Sequence, residues 1–300
     1  MEIFDRELLR RRRVRAAARF ADHDFLVRHA AQDVAERLGA VNRDFPLALD
    51  LGARQGALAR APLDPGKVAA IVESDMAPAM LSSGGLRLAA DEEALPFREE
   101  SFDLVTSILS LHAVNDLPGT LVQIRRALKP DGLLIAALFG GETLKELREA
   151  MSLAEIERDG GLSPRVAPFA EVRQLGSLLQ RAGFALPVAD TQTLTVRYRS
   201  PLHLLNELRG MGETNVLLER RKTPLKRGTL MRMSEIYQEK FSDPDGRVRA
   251  TFDIHYLTGW APHESQQKPL QPGSAKMRLA DALGAKEKGA GEKPGGEEET

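Results

Sequence analysis

The stretch PLALDLGARQGALAR, residues 46–60, constrains this chain more than any other. PLALDL is a short apolar run suited to a buried parallel strand. It runs into Gly52 and Gly56, residues that let a backbone turn tightly and approach a ligand without a Cβ in the way. GALARA then reads as the start of a helix, cut short by Pro62, whose N-terminus would offer free N–H groups. Strand, glycine loop and helix in that order can hold a nucleotide-like cofactor at the carboxyl end of a sheet. A degenerate Gly-x-x-x-Gly is equally well an ordinary tight turn.

The rest of the chain decides between these readings. Residues 1–38 read as helical, and Gly39 closes that segment as a C′ glycine would. VAAIVES (68–74), LRLAA (86–90), FDLVTSILSL (102–111) and LLIAALFG (133–140) are apolar runs of strand length. APAMLSS reads as a helix start, ADEEALPF as a loop, and DLPGTLVQIRRALKPDG (116–132) as a helix with Pro near its start and Pro-Asp-Gly as its stop. Strands alternating with helices at this spacing predict an α/β fold, a doubly wound and mostly parallel sheet of the Rossmann-like kind. Helices are expected over 143–158 and 170–184, and an alternating strand over Val188–Tyr198. The expected division is a basic helical segment (1–38), the sheet domain (39–200), a mostly helical extension (201–268) with one further strand near Phe252–Leu257, and a Lys, Glu, Gly and Pro rich tail (269–300). Such a tail cannot bury a core and is expected to be disordered.

Composition narrows the chemistry. Cysteine is absent, which removes disulfides, thiolate zinc sites and cysteine nucleophiles. A net charge of −1 argues against nucleic acid as a partner. No apolar run reaches the roughly 18 residues of a membrane span, and no apolar segment of a secretory signal follows the basic N-terminus. Residues 1–20 carry arginines 6, 10, 11, 12, 13, 15 and 19 against Glu2, Asp5 and Glu7. This run is a solvated helix face, or it docks on an acidic partner, an anionic membrane surface or its own core.

Three strand ends carry candidate residues. Asp50, Gly52, Arg54 and Gly56 follow the first strand. Asp75, with Met76 beside it, follows the second, 19 residues after Gly56. An acid at that place accepts hydrogen bonds from ribose hydroxyls, and an N-cap would explain it equally. Asp91 follows the third strand and could reach an adenine amino group, with Leu95 and Phe97 as walls. A charged surface loop is the bland alternative.

LDLGxxxG, ESDMAPAML, ADEEALPFREESFDLV and RRALKPDGLLIAAL together resemble the class I S-adenosylmethionine-dependent methyltransferases of the type 11 kind. FDRELLRRRR, LSLHAVNDLPGTL, FGGETLKELR, LRGMGETN, IHYLTGW and HESQ look more narrowly like the complex I assembly factor 5 family and its bacterial relatives, over roughly residues 3 to 275. The resemblance implies S-adenosyl-L-methionine as cofactor. It would put Asp50, Gly52 and Gly56 beside the methionine end, Asp75 on the ribose, Asp91 and Glu92 by the adenine, and Ser110 to Asn115 along the far side. Arg54 departs from the family's Gly-x-Gly-x-Gly, so weakened cofactor affinity is expected. A left-handed backbone there would cost an Arg about 1–2 kcal/mol.

His112, at the end of the fourth strand, is the candidate base, with packing or capping as its plainer role. The histidines are 23, 29, 112, 203, 255 and 263, none followed two residues on by Asp or Glu, so no metal site is expected from sequence. The resemblance implies a protein substrate or partner in the NADH dehydrogenase complex and a bacterial cytoplasmic location, free or peripheral at the inner membrane. Methyl transfer, arginine hydroxylation of a complex I subunit, a non-catalytic assembly role, and methylation of a small molecule or carrier protein all remain open at this point.

Overall fold

The structure, a computed structural model, describes residues 2–267 and Gly284. Helix α1 (Arg6–Ala17) and helix α2 (Phe25–Gly39) precede strand β1 (Phe45–Leu51). Then come β2 (Val68–Asp75), β3 (Leu86–Ala89), β4 (Phe102–Ile108), α3 (Leu117–Ala127), β5 (Leu128–Phe139), α4 (Lys145–Asp159) and α5 (Val172–Arg181). The described chain closes with β6 (Ala185–Tyr198), α6 (Pro201–Gly210), α7 (Arg227–Phe241) and β7 (Val248–Trp260). One seven-stranded sheet has the order β3-β2-β1-β4-β5-β7-β6. The first five strands in that order pair in parallel, and β7 runs antiparallel to both β5 and β6. This is the doubly wound, mostly parallel sheet that the alternation of elements predicts. Strand order reverses between β1 and β4, so a crevice opens at their carboxyl ends.

Period-two alternation builds the two faces. In β5, Leu133, Ile135, Ala137 and Phe139 pack with α2, α4 and α7, whereas Leu134, Ala136 and Leu138 pack with α3 and α5. All seven residues of β4 are buried. Burial on both faces is met by apolar Phe102, Leu104, Val105 and Ile108 and by hydrogen bonds from the Thr106 and Ser107 hydroxyls to β1.

Several local readings are corrected. Residues 54–60 form turns rather than the helix expected from GALARA, because Arg54 and Gln55 both take positive φ, 48° and 61°. APAMLSS yields only a short 3-10 turn, Pro78–Met80. Helix α2 runs through Gly39 to an Ala40 cap, so Gly39 is no left-handed C′ residue. Helix α3 stops at Ala127, since Leu128 already pairs with Phe102 and the next ladder partners are Leu104 and Leu133. Pro130 could not have continued the helix.

Within residues 201–268 the strand expected near Phe252–Leu257 is present, but it is longer and more central than expected. Helices α6 and α7 fit a mostly helical extension, but β7 spans 13 residues and lies between β5 and β6, inside the sheet. Its polar residues disguised that length and that place. Thr251, Asp253 and His255 are buried and their side chains are bonded: the Thr251 hydroxyl donates to the Glu146 carboxylate (2.5 Å), the Thr193 hydroxyl donates to Asp253 (2.5 Å), and the Thr191 hydroxyl meets His255 Nδ1 (2.8 Å). The expected tail falls outside the described residues, apart from Gly284.

Phe252 is fully buried on β7. Phe252→Ala is expected to cost about 3–5 kcal/mol, the usual range for a buried phenylalanine, as measured by urea unfolding. A change below about 1 kcal/mol would show that β7 does not carry the core.

Candidate functional site

The crevice begins with the loop after β1. Gly52 and Gly56 have φ of 73° and 74°, so both glycines sit where the left-handed backbone favours them. Arg54 lies between them at positive φ, so the left-handed strain foreseen for an arginine there is present. The loop amides do not face open space: Gly52 and Ala53 N–H donate to the Ser74 carbonyl (2.7 and 3.0 Å), and Gln55 N–H to the Met80 carbonyl (2.6 Å). A Cβ on Gly52 would lie 2.2 Å from Ser110 Oγ, so the glycine serves close approach between two loops.

Asp50 is buried beneath this loop, accepting from the Thr106 hydroxyl (3.0 Å) and, at 3.4 Å, from Leu58 N–H. Burial pushes its carboxyl up to about 7, with Glu73 and Asp75 adding to the rise.

The acids of the second and third strand ends do converge, and what they meet comes from α1. Arg13, with no exposed surface, donates to Glu92 Oε1 (2.8 Å) and to Ser110 Oγ (2.9 Å), and its Nη1 lies 3.5 Å from Asp75 Oδ1. Ser110 in turn donates to Glu92 Oε1 (2.7 Å). Arg6 bonds Asp91 (2.5 Å) and the other Glu92 oxygen. Burial pushes Glu92 up, but Arg13 and Arg6 outweigh it and hold the carboxyl well below the usual carboxylate range. At Asp75 burial outweighs Arg13 and the carboxyl is raised. Asp75 Oδ1 accepts from Ala77 N–H (2.9 Å), and Oδ2 has no hydrogen-bond partner. Met76 packs with Phe4, Leu9, Ala113, Val216 and Leu217.

A second buried cluster adjoins the first. Arg54 turns neither to solvent nor into free space: its Nη2 donates to Glu213 (2.6 Å) and to the Leu109 carbonyl (2.7 Å). The other Glu213 oxygen lies 3.3 Å from His112 Nε2. Burial raises Glu213, but Arg54 and then His112 outweigh it and lower it well below the carboxylate range. Burial lowers His112 despite Glu213, which favours the neutral ring. That ring packs on Phe139 and Phe169, with centroids 4.7 and 5.7 Å away. His112 and Glu213 line a cavity of about 420 Å³ whose walls include Phe139, Leu147, Met151 and Phe169. That is the lower part of the range for small-ligand pockets. Among the described residues no group of three or more His, Cys, Asp and Glu is arranged to hold a metal ion.

Asp50, Gly52, Gly56, Asp75, Glu92 and Ser110 are thus gathered at one crevice, with Asp91 at its edge and Met76 and His112 flanking it. Sequence reasoning missed Arg6, Arg13 and Glu213. Arg13 did leave a signal, since it shares the buried stripe of α1 with Leu9 and Ala16. An arginine in the position of an apolar stripe residue needs a buried partner. Two of the seven N-terminal arginines therefore dock on the chain's own core.

The carboxylates suit the donors of S-adenosyl-L-methionine, yet Asp50, Asp75, Glu92 and Ser110 have no exposed surface; guanidinium groups fill Glu92 and Ser110 and lie beside Asp75, and Thr106 and Leu58 fill Asp50. With α1 in this position the residues present do not fit the cofactor.

Residues 49–136 match the methyltransferase domain family. The chain is 43% identical over 290 residues to the mitochondrial arginine-hydroxylase NDUFAF5 of Mus musculus, covering 94% of this chain and 84% of that protein. It is 33% identical over 282 residues to a malonyl-[acyl-carrier protein] O-methyltransferase of Halorhodospira halophila, covering 91% and 94%. A solved putative methyltransferase from Bacillus halodurans shares the fold at 17% identity, with a TM-score of 0.52 over 77% of this chain and 99% of that one.

Two measurements check this electrostatics. Arg13→Ala strands two buried acids and is expected to lower stability by about 3–5 kcal/mol, read by denaturant unfolding; a negligible loss would mean the pairing is not formed. Asp50 has a raised folded pKa, so its contribution is full below about pH 4 and is lost as pH rises through about 7. Asp50→Asn should therefore gain stability relative to wild type across that window, and parallel melting curves from pH 4 to pH 8 would contradict the raised value.

Proposed function

The chain belongs to the family of the NDUFAF5 arginine hydroxylases, and we propose from that membership that it acts on an arginine side chain of a protein partner during assembly of respiratory complex I. The observation that carries this reading is Glu213. It sits in the GMGETN segment, lines the cavity beside His112, and already binds one guanidinium, that of Arg54, at 2.6 Å. A partly buried carboxylate held below its usual pKa is an acceptor for a planar, permanently charged guanidinium. In this reading a substrate arginine enters the cavity along Phe139, Phe169 and Met151. Glu213 holds its head, the neutral His112 accepts a hydrogen bond or proton, and the aromatic walls exclude water. Such positioning supplies binding and orientation; hydroxylation itself would also take dioxygen and a two-electron reductant brought from outside the chain, with the second oxygen leaving as water.

Methyl transfer from S-adenosyl-L-methionine is the second reading. It is favoured by Asp50, Gly52, Gly56, Asp75 and Glu92 standing at the strand ends, and by the 33% identical methyltransferase. That reading requires α1 to leave the crevice, because Arg13 and Arg6 hold Glu92 and Ser110 where it now lies. We place the protein in the bacterial cytoplasm, working on its partner near the inner membrane. Among the described residues no helix is long and apolar enough to cross a membrane.

The test is mass spectrometry of complex I subunits from a strain deleted for this chain and complemented with wild type, Glu213→Gln or His112→Gln. Wild type should restore a modified arginine on one subunit, gaining one oxygen for hydroxylation or one methylene for methylation. Glu213→Gln should reduce the modified fraction by roughly tenfold or more, the worth of one charge-assisted hydrogen bond. If every arginine is identical with and without the wild-type chain, the proposal fails.

A further inference from the structure

A chain of this fold carries the acids for a cofactor and fills them with its own arginines. The pairing is specific. Arg13 and Arg6 stand seven residues apart on one face of α1. Together they occupy Asp75, Asp91, Glu92 and Ser110. Because both belong to one helix, a single displacement of α1 would uncover all four groups at once.

The seam between α1 and the crevice is imperfect. Asp75 Oδ2 and Arg13 Nε are buried there with no hydrogen-bond partner. Unpaired buried polar atoms are costly and rare in finished cores. A ribose diol would bring hydroxyl donors to the acid that Arg13 leaves half satisfied. The helix is also held from outside the crevice. Ile3 and Phe4 N–H both donate to Asn115 Oδ1 (2.7 Å each), Asp5 caps α1 through Leu8 N–H (2.9 Å) and pairs with Arg220 (3.1 Å), and Phe4 bridges Leu217. These contacts lie away from the strand ends and set how firmly α1 stays down.

We propose that α1 is a plug: Arg13 and Arg6 occupy the acids of the cofactor crevice, and S-adenosyl-L-methionine binds only when α1 leaves, so that helix and cofactor exclude one another. The apparent affinity for the cofactor is then the affinity of the open crevice reduced by the small open fraction. This holds whichever acceptor the enzyme takes.

The test is calorimetric titration of the full chain with S-adenosyl-L-methionine, together with hydrogen exchange of the α1 amides. Wild type should bind weakly, and saturation should strip protection from residues 6–17. Arg13→Ala removes the main pairing. Asp5→Ala loosens the outer anchor without stranding a buried charge, so it stays informative where Arg13→Ala fails to fold. Each folded variant should bind at least tenfold more tightly than wild type. Equal affinity of wild type and Asp5→Ala with unchanged α1 protection would overturn the plug. So would silence of both at millimolar cofactor, since the acids would then serve α1 alone. Either failure is separate from that of the arginine reading, which is judged by the mass of a partner subunit.

Discussion

The guanidinium of Arg13, seated among Asp75, Glu92 and Ser110, ties the rest of the molecule together. Buried charges are tolerable only in company. The loop after β3 brings Glu92, the end of β2 brings Asp75, and the end of β4 leads to Ser110. None of these groups could be buried as it is without the arginine from α1. The N-terminal helix is therefore seated in the crevice, and two of its arginines, Arg6 and Arg13, are spent there rather than left for a partner.

The C-terminal part of the described chain closes the same end of the sheet. After α6, Glu213 neutralises Arg54, and the segment beyond it straps the N-terminus: Arg12 donates to Thr214 (2.6 Å), Asp5 N–H donates to the Val216 carbonyl (2.8 Å), and Arg220 pairs with Asp5. Chain running on to β7 then enters the sheet between β5 and β6. Residues from both sides of the parallel core thus meet over the strand ends, where the fold places ligands.

Arg54 shows how one side chain redirects a site. A glycine there would leave space above the turn. The arginine holds the left-handed backbone at a cost, and offsets that cost by binding Glu213 and two carbonyls, those of Leu109 and Met211. Glu213 is consequently charged, partly buried and placed beside His112 at the wall of the apolar cavity.

Much of this was legible from sequence, where local physics speaks. Apolar runs of strand length, glycines at sharp turns and helix-forming segments between them determine the parallel core, and acids at successive strand ends mark the crevice. The full length and central placement of β7 were not legible, because Thr251, Asp253 and His255 look exposed until Glu146, Thr193 and Thr191 are seen to meet their side chains. Nor was the turn after Gly56, where two non-glycine residues accept positive φ that propensity opposes. The partners of Asp75 and Glu92 were decided by tertiary structure alone. A carboxylate at a strand end accepts a ribose hydroxyl or a guanidinium equally well. Which one reaches it depends on where a helix some sixty to eighty residues distant in the chain packs, and no local pattern encodes that.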